Sequence, residues 1–370
     1  MSLSVPPRPD ELEVSLFGPG IGECVVVHVG GGEWITVDSC EDPATHAPAA
    51  LAYLRSLGVD PGTQVKRVIV THWHDDHMRG AAGVLAAATS AKFFCSAALS
   101  TKEFLSFIAS SSALNTKSDG SSGVAEFSAI MDILQARRAG GARAESVGPE
   151  WTRADMVVYA RAESTLMPRC EVFALSPSSA TLSRSLHEIA QQMPKLGAPK
   201  RAAVSIAPNE TSVVIGVRLG DAVALLGGDL ENTAAQDRGW SAVLTTQLWP
   251  QMPMRVFKVA HHGSENADHP GVWSRFASDF VAIATPFATG KKSLPSDDDV
   301  ARIKARTSQF FVSAPPPARG AASDAVVQKT INEVARSFRQ RTARMGHIRV
   351  RLSASTTPPT IELFGAARAA

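Results

Sequence analysis

Three histidines and two aspartates stand within the six residues His72-Trp73-His74-Asp75-Asp76-His77, directly after the short apolar run Val68-Ile69-Val70. In extended chain, residues i and i+2 face the same side, so the His72 and His74 imidazoles can reach one ion. Asp76 and His77 follow in the turn and can reach a second position beside it. Two metals ~3.5–4 Å apart can share a bridging hydroxide and clamp both attacking and leaving oxygens. Imidazole with carboxylate suits zinc, with manganese or iron as alternatives. A lone histidine is usually structural, but this many ionisable groups at the end of a buried strand are costly to keep together without a cation.

The elements around the cluster read as follows. Leu12 to Phe17 alternates, Cys24 to Val29 is a β-branched run, and Trp34-Ile-Thr-Val37 follows the turn Gly30-Gly31-Gly32. A helix over Ala47 to Leu57 leads into the strand that ends at Val70; a small-residue helix, Gly80 to Thr89, and the strand Lys92 to Cys95 come next. From about 101 to 205 the pattern loosens, with a Ser-rich stretch from Ser110 to Ser122 and helical spacing over Ala125–Arg138 and Ala180–Met193. We read that span as an insertion that shapes or covers a site. Regular structure resumes with the hairpin Ser212–Arg218 and Ala222–Leu226, then strands at Arg255–Val259, Phe280–Ile283 and Phe310–Val312 between helices near 233–246, 270–277 and 297–305. Asp324 to Arg341 carries one apolar stripe, Val327, Ile331, Val334 and Phe338, and the chain closes on a hairpin, His347–Ser353 with Thr360–Phe364. Strands early and late with helices between predict an α/β fold, an αββα sandwich of two sheets between helical layers. We expect one domain over 1–370, with a basic helix and terminal hairpin over 322–370.

The whole chain bounds the function only loosely. Its 370 residues are 44% hydrophobic and 19% charged, with a net charge of +2, so overall charge announces no polyanionic partner. The span 301–351 is different: eleven basic and two acidic side chains give it an excess of nine positive charges. That is either a solvated helix face or a surface for a polyanion. Cys24, Cys40, Cys95 and Cys170 lie far apart, which argues against a zinc knuckle and a disulfide framework. The first ten residues lack the pattern of a signal peptide, and no stretch approaches the ~20 apolar residues of a membrane span. A soluble, cytoplasmic protein is the expectation.

Thr71-His-X-His-X-Asp-His77 resembles the second signature of the metallo-β-lactamase superfamily. Trp34-Ile-Thr-Val-Asp38 resembles the first, Leu225-Leu-Gly-Gly-Asp229 the strand-ending Gly-Asp, and Val259-Ala-His-His-Gly-Ser264 the last. Within it, Leu16-Phe-Gly-Pro-Gly-Ile-Gly-Glu23, Pro208-Asn-Glu-Thr-Ser-Val-Val214 and Lys258-Val-Ala-His-His-Gly-Ser264 look like the hydrolase domain of the ComEC DNA-uptake proteins. The resemblance covers roughly 12–100 and 172–315. It implies the four-layer αββα sandwich and two divalent ions. His72 and His74 would hold one ion, Asp76, His77 and His261 the other, and Asp229 would bridge. Asp38 would fix imidazole tautomers from outside. Adjacent strand residues face opposite ways, so one of His261 and His262 should bind metal; the other, His262, would donate to substrate or leaving group, or merely pack. Two departures stand out. The only histidine between the second signature and Gly-Asp is His187 in a helical stretch, which leaves Asn209 or Ser212 as further ligand or substrate contact; and Lys291-Lys292-Ser-Leu-Pro295 replaces the subgroup's Asn-X-Tyr-X-His-Pro element.

The reaction this implies is attack of a metal-activated hydroxide on an electrophilic centre, with Asp76 or bridging solvent managing protons. The ComEC-like marks and the basic stretch favour phosphodiester cleavage, a nuclease acting on DNA, with Lys291, Lys292, Arg336, Arg339 and Arg344 as backbone contacts. Two alternatives remain open here: hydrolysis of a small ester, lactone, thioester or cyclic nucleotide, and a non-catalytic, metal-binding regulatory module.

Overall fold

Strand pairing follows from how apolar side chains are distributed along each strand. Glu11–Gly20 (β1) sends Leu12, Val14 and Leu16 to one face; Gly22–Val29 (β2) sends Val25, Val27 and Val29 to that face and Cys24 and Val26 to the other. Burial on both faces is why the run is β-branched rather than alternating with polar residues. The computed structural model describes residues 5–20, 22–100, 123–141, 146–165, 167–192, 208–289, 292–315, 344–354 and 358–370.

Trp34–Val37 (β3), Val65–Val70 (β4), Lys92–Ser96 (β5) and Pro149–Thr152 (β6) continue the first sheet. The second takes Met156–Arg161 (β7), Cys170–Ala174 (β8), Ile215–Leu219 (β9), Ala222–Leu226 (β10), Met254–Lys258 (β11) and Phe276–Ala284 (β12). Phe287–Thr289 (β13) and Lys292–Leu294 (β14) form a separate hairpin. Phe310–Val312 (β15), Gly346–Ser353 (β16), Thr360–Gly365 (β17) and Arg368–Ala369 (β18) complete the set. The orders are β17-β16-β1-β2-β3-β4-β5-β6 and β18-β15-β12-β11-β10-β9-β8-β7, eight strands each. In both, part of the sheet is antiparallel and part parallel: β3 to β6 in the first, β10, β11, β12 and β15 in the second.

Three apolar layers result. One lies between the sheets, where Leu12, Val14 and Val27 meet Val172, Val217 and Val256. A second joins the outer face of the first sheet to the helices Ala49–Ser56, Ala81–Ala87 and Gly123–Ala139. The third joins the second sheet to Gly239–Val243, Pro270–Trp273 and Asp297–Lys304. The last helix starts on a capping box of Ser296 and Asp299. This is the αββα, four-layer arrangement. Among the described residues, no helix is long and apolar enough to cross a membrane.

Two differences from the sequence reading matter. Pro149–Thr152, Met156–Arg161 and Cys170–Ala174 fall inside the span 101–205 read as an insertion, yet β6 extends the first sheet and β7 and β8 extend the second. Strands of four to six residues between loops carry little periodicity, so the residue pattern does not reveal them. The helix expected near 233–246 is shorter, Gly239–Val243, and the one expected over 270–277 stops at Trp273 because Phe276 already belongs to β12. The terminal hairpin is β16 with β17; the basic helix expected over 324–341 lies outside the described residues.

Candidate metal centre

The parallel strands of both sheets end at one edge of the sandwich, and the residues that follow them meet there, as sites do at the carboxyl ends of parallel strands. β3 leads into Asp38, β4 into Thr71–His77, β10 into Asp229, β11 into His261 and His262, and β12 into Thr285. Thr71, His72, His77, Asp229 and His262 are buried; His74 and Asp76 are partly exposed.

Three imidazole nitrogens converge on one carboxylate oxygen. Asp229 Oδ2 lies 3.3 Å from His77 Nε2, 3.6 Å from His262 Nε2 and 3.9 Å from His72 Nε2. Asp76 Oδ2 adds contacts of 3.6 Å to His77 Nε2 and 3.5 Å to His262 Nε2. His74 Nδ1 faces His72 Nε2 at 3.0 Å. Donors ~2.0–2.1 Å from a tetrahedral ion stand roughly 3.3 Å from one another, so these separations fit two adjoining groups, His72-His77-Asp229 and Asp76-His77-His262.

In His72, His77 and His262 the opposite nitrogen is committed as a donor. Thr71 Oγ1 donates to Asp38 Oδ2 at 2.7 Å, so it accepts from His72 Nδ1–H at 2.9 Å. His77 Nδ1–H donates to the same Asp38 oxygen at 2.8 Å. In the second sheet Thr285 Oγ1 donates to Glu23, so His262 donates its Nδ1–H to Thr285 at 3.1 Å. In these three rings Nε2 is thereby the nitrogen aimed inward. His77 Nε2 and Asp229 Oδ1 are buried without a hydrogen-bond partner among the described residues. Orphaned atoms of this kind are costly in a dry interior and are what a bound cation would satisfy. The residues present therefore fit a divalent metal.

The buried charges set the protonation of the ion-free site. Burial, helped by His77, holds His72 well below the ordinary imidazole range, and burial also lowers His74, so both are neutral ligands. Burial alone would lower His77, but Asp229, Asp76 and Asp38 outweigh it and hold it well above its usual value. Burial would raise Asp229; His77, His262 and Lys258 outweigh that and keep it ionised.

The pair His261-His262 is placed the other way round from the expectation. His262 is buried and faces both aspartates, whereas His261 lies outside the cluster, with Nδ1 3.0 Å from Asn266 Oδ1 and 3.2 Å from Glu231 Oε1. The expectation treated both as strand residues, but β11 ends at Lys258, and His261 and His262 have φ of 48° and 55° in a tight turn. Left-handed backbone at two consecutive non-glycine residues aims the second inward, where strand alternation would have aimed the first. Asn209 sits at the wall, its Nδ2 2.8 Å from Glu231 Oε1, while Ser212 lies beneath Asp229 and its Oγ accepts from the Asp229 amide at 3.0 Å. His187 is on the helix Ser179–Gln192, paired with Gln191. Lys291, Arg336 and Arg339 lie outside the described residues, as does the Lys292 side chain; Arg344 is exposed.

Sequence reasoning assigned no role to Glu23, Lys258 or Thr285, all buried beside the histidines. Glu23 and Lys258 stood inside two of the quoted motifs, and a charged residue in an otherwise apolar strand such as Met254–Lys258 was the available signal. Above the cluster opens a pocket of about 510 Å³ lined by Trp73, His74, Asp75, Asp76, Pro208, Asn209, Asp229, His261, His262 and Phe287. Phe287 stacks on the His262 ring with centroids 5.0 Å apart.

The model of the metallo-β-lactamase superfamily matches residues 17–96. No curated protein matches. A solved β-lactamase domain protein from Burkholderia ambifaria is similar over 76% of this chain and 65% of that one, with 15% identity and a TM-score of 0.31. This chain thus spans slightly less than two thirds of that protein's length. The matched residues include Asp38 and the whole His72–His77 cluster, and the molecule they belong to has the metallo-β-lactamase fold.

Proposed function

We propose that this protein is a metal-dependent hydrolase that cleaves phosphodiester bonds, with DNA as its substrate. The observation that carries the hydrolase reading is the convergence of His72, His77 and His262 Nε2 on Asp229 Oδ2, with Asp76 alongside, at the floor of an open pocket. His72, His74 and Asp229 would hold one ion, and Asp76, His77 and His262, with Asp229 between, a second. Such ions supply Lewis acidity and acidify coordinated water, which removes the need for a strong protein base. Zinc suits this donor set. Asp76 is the carboxylate at the mouth, its side chain 18% exposed, and it is placed to take or hand on a proton at the pocket floor. Asp38, buried behind the histidines, takes the His77 Nδ1–H directly and the His72 Nδ1–H by way of Thr71, so that Nε2 is the nitrogen each ring turns to the site.

The basic side chains of 301–351, apart from Arg302, Arg349 and Arg351, which are paired with carboxylates of the fold, support DNA as substrate, since a polyanion is gripped by charge without sequence reading. A second reading, a small ester or cyclic nucleotide, is favoured by the pocket itself. Its described lining has two aromatic side chains, Trp73 and Phe287, and no lysine or arginine. Zinc-loaded protein incubated with plasmid DNA, bis-p-nitrophenyl phosphate, a cyclic dinucleotide and p-nitrophenyl butyrate separates these readings. DNA nicking lost in a folded D76N/H77N variant is the expected result; turnover of the carboxylic ester alone would replace the phosphodiester reading with the second. Undiminished turnover in D76N/H77N would remove the proposed chemistry.

A further inference from the structure

Behind the histidines lies an ion pair whose burial needs a reason. Lys258 and Glu23 are each 1% exposed, and the ammonium touches the carboxylate. Lys258 Nζ also donates to Gly228 O at 2.9 Å and stands 3.8 Å from Asp229 Oδ1. The second Glu23 oxygen takes the Thr285 hydroxyl, and both the hydroxyl and carbonyl oxygens of Thr285 lie 3.1 Å from His262 Nδ1. Removing two charges from water is costly, and apolar residues of the same volume would often serve stability as well or better. Stability alone therefore does not account for the pair.

Its position does. Apart from Glu23, the contacts of the lysine among the described residues lie on Gly228-Asp229, the segment that aims the convergent carboxylate: a hydrogen bond to the Gly228 carbonyl and an ion pair with Asp229. Glu23 reaches His262 through Thr285, in the same order in which Asp38 reaches His72 through Thr71. Glu23, Asp38 and His77 lie close enough to hold a metal of their own. The Lys258 ammonium already supplies a cation to that group through Glu23.

We propose that the Lys258–Glu23 pair is a positioning device for the metal centre, Lys258 holding Asp229 and Glu23 holding His262 by way of Thr285. It rests on the metal-centre reading above. Zinc affinity, measured by competition with a chromogenic chelator, and thermal unfolding of the metal-free protein together test it. K258M leaves a buried carboxylate unpaired and should unfold at a lower temperature; E23M/K258M removes both charges and should recover most of that loss. Both should bind zinc about 10- to 100-fold more weakly than wild type. A folded E23M/K258M with wild-type zinc affinity would show a purely structural pair and overturn the proposal. E23Q keeps the side-chain shape and covers the case in which the double variant does not fold; it should bind zinc roughly tenfold more weakly, and unchanged affinity overturns the proposal equally. Because ion affinity is the readout, failure to hydrolyse any substrate would sink the proposed activity and leave this result standing.

Discussion

A single oxygen, Asp38 Oδ2, accepts both the Thr71 hydroxyl and the His77 Nδ1–H, and so sets the tautomers of two imidazoles at once. Asn at this position keeps the shape but offers an N–H where an acceptor is needed. D38N should therefore bind zinc about 10- to 100-fold more weakly and lose on the order of 1–3 kcal/mol of stability, read from chelator competition and urea unfolding. Wild-type affinity in that variant would show that the tautomers are set elsewhere. Asp38 was legible in the sequence because it closes the strand Trp34–Val37, and His72, His74, Asp76 and His77 because they stand within six residues. Glu23 and Thr285 were not, since 262 positions separate them and only the closed fold makes them neighbours. The inward turn of His262 was not legible either, because no propensity rule places two successive histidines in the left-handed region.

At the level of elements, the start of β2 is a seat for the metal loop. Gly22 has φ of 111°, and a Cβ there would stand 1.8 Å from the Asp76 carbonyl oxygen. G22A must displace either the start of β2, with Glu23 next to it, or the loop carrying Asp76 and His77. Its expected signature is a joint loss: a lower unfolding temperature together with weaker zinc binding. A G22A protein with both properties intact would mean that the two segments are not seated as described. A similar tie runs from the loop to the helix Gly123–Ala139, whose first amide donates to Asp75 Oδ1 at 2.5 Å, while the Glu126 carboxylate accepts from the Gly80 and Ala82 amides. The sequence showed that helix and that loop but not their contact, because helical periodicity reports which face is apolar and not what it rests on.

Across the whole molecule, acid should unfold the chain through histidines remote from the metal centre. Burial lowers His28 to about 4 and His347 to about 3, from an ordinary 6.5. His28 Nδ1–H donates to Glu11 O and its Nε2 accepts from the Gly32 amide, so a second proton would break that contact. Between pH 6.5 and these values the unfolded chain binds protons that the folded one refuses. The stability is therefore present above pH 6.5 and is lost as pH falls to about 4 for His28 and about 3 for His347, roughly 3–5 kcal/mol each. H347F keeps a ring between Phe17 and Phe364 and has no proton to gain. Its urea midpoint should fall less between pH 7 and pH 4 than that of wild type; an equal fall would remove His347 from the acid response.

The centre draws His72 and His77 from one sheet and Asp229 and His262 from the other, with partners as far apart as Glu23 and Thr285. No stretch of chain short enough to form early in folding contains a complete set of donors from both sheets. An ion bound there would find its full cage only once both sheets had closed.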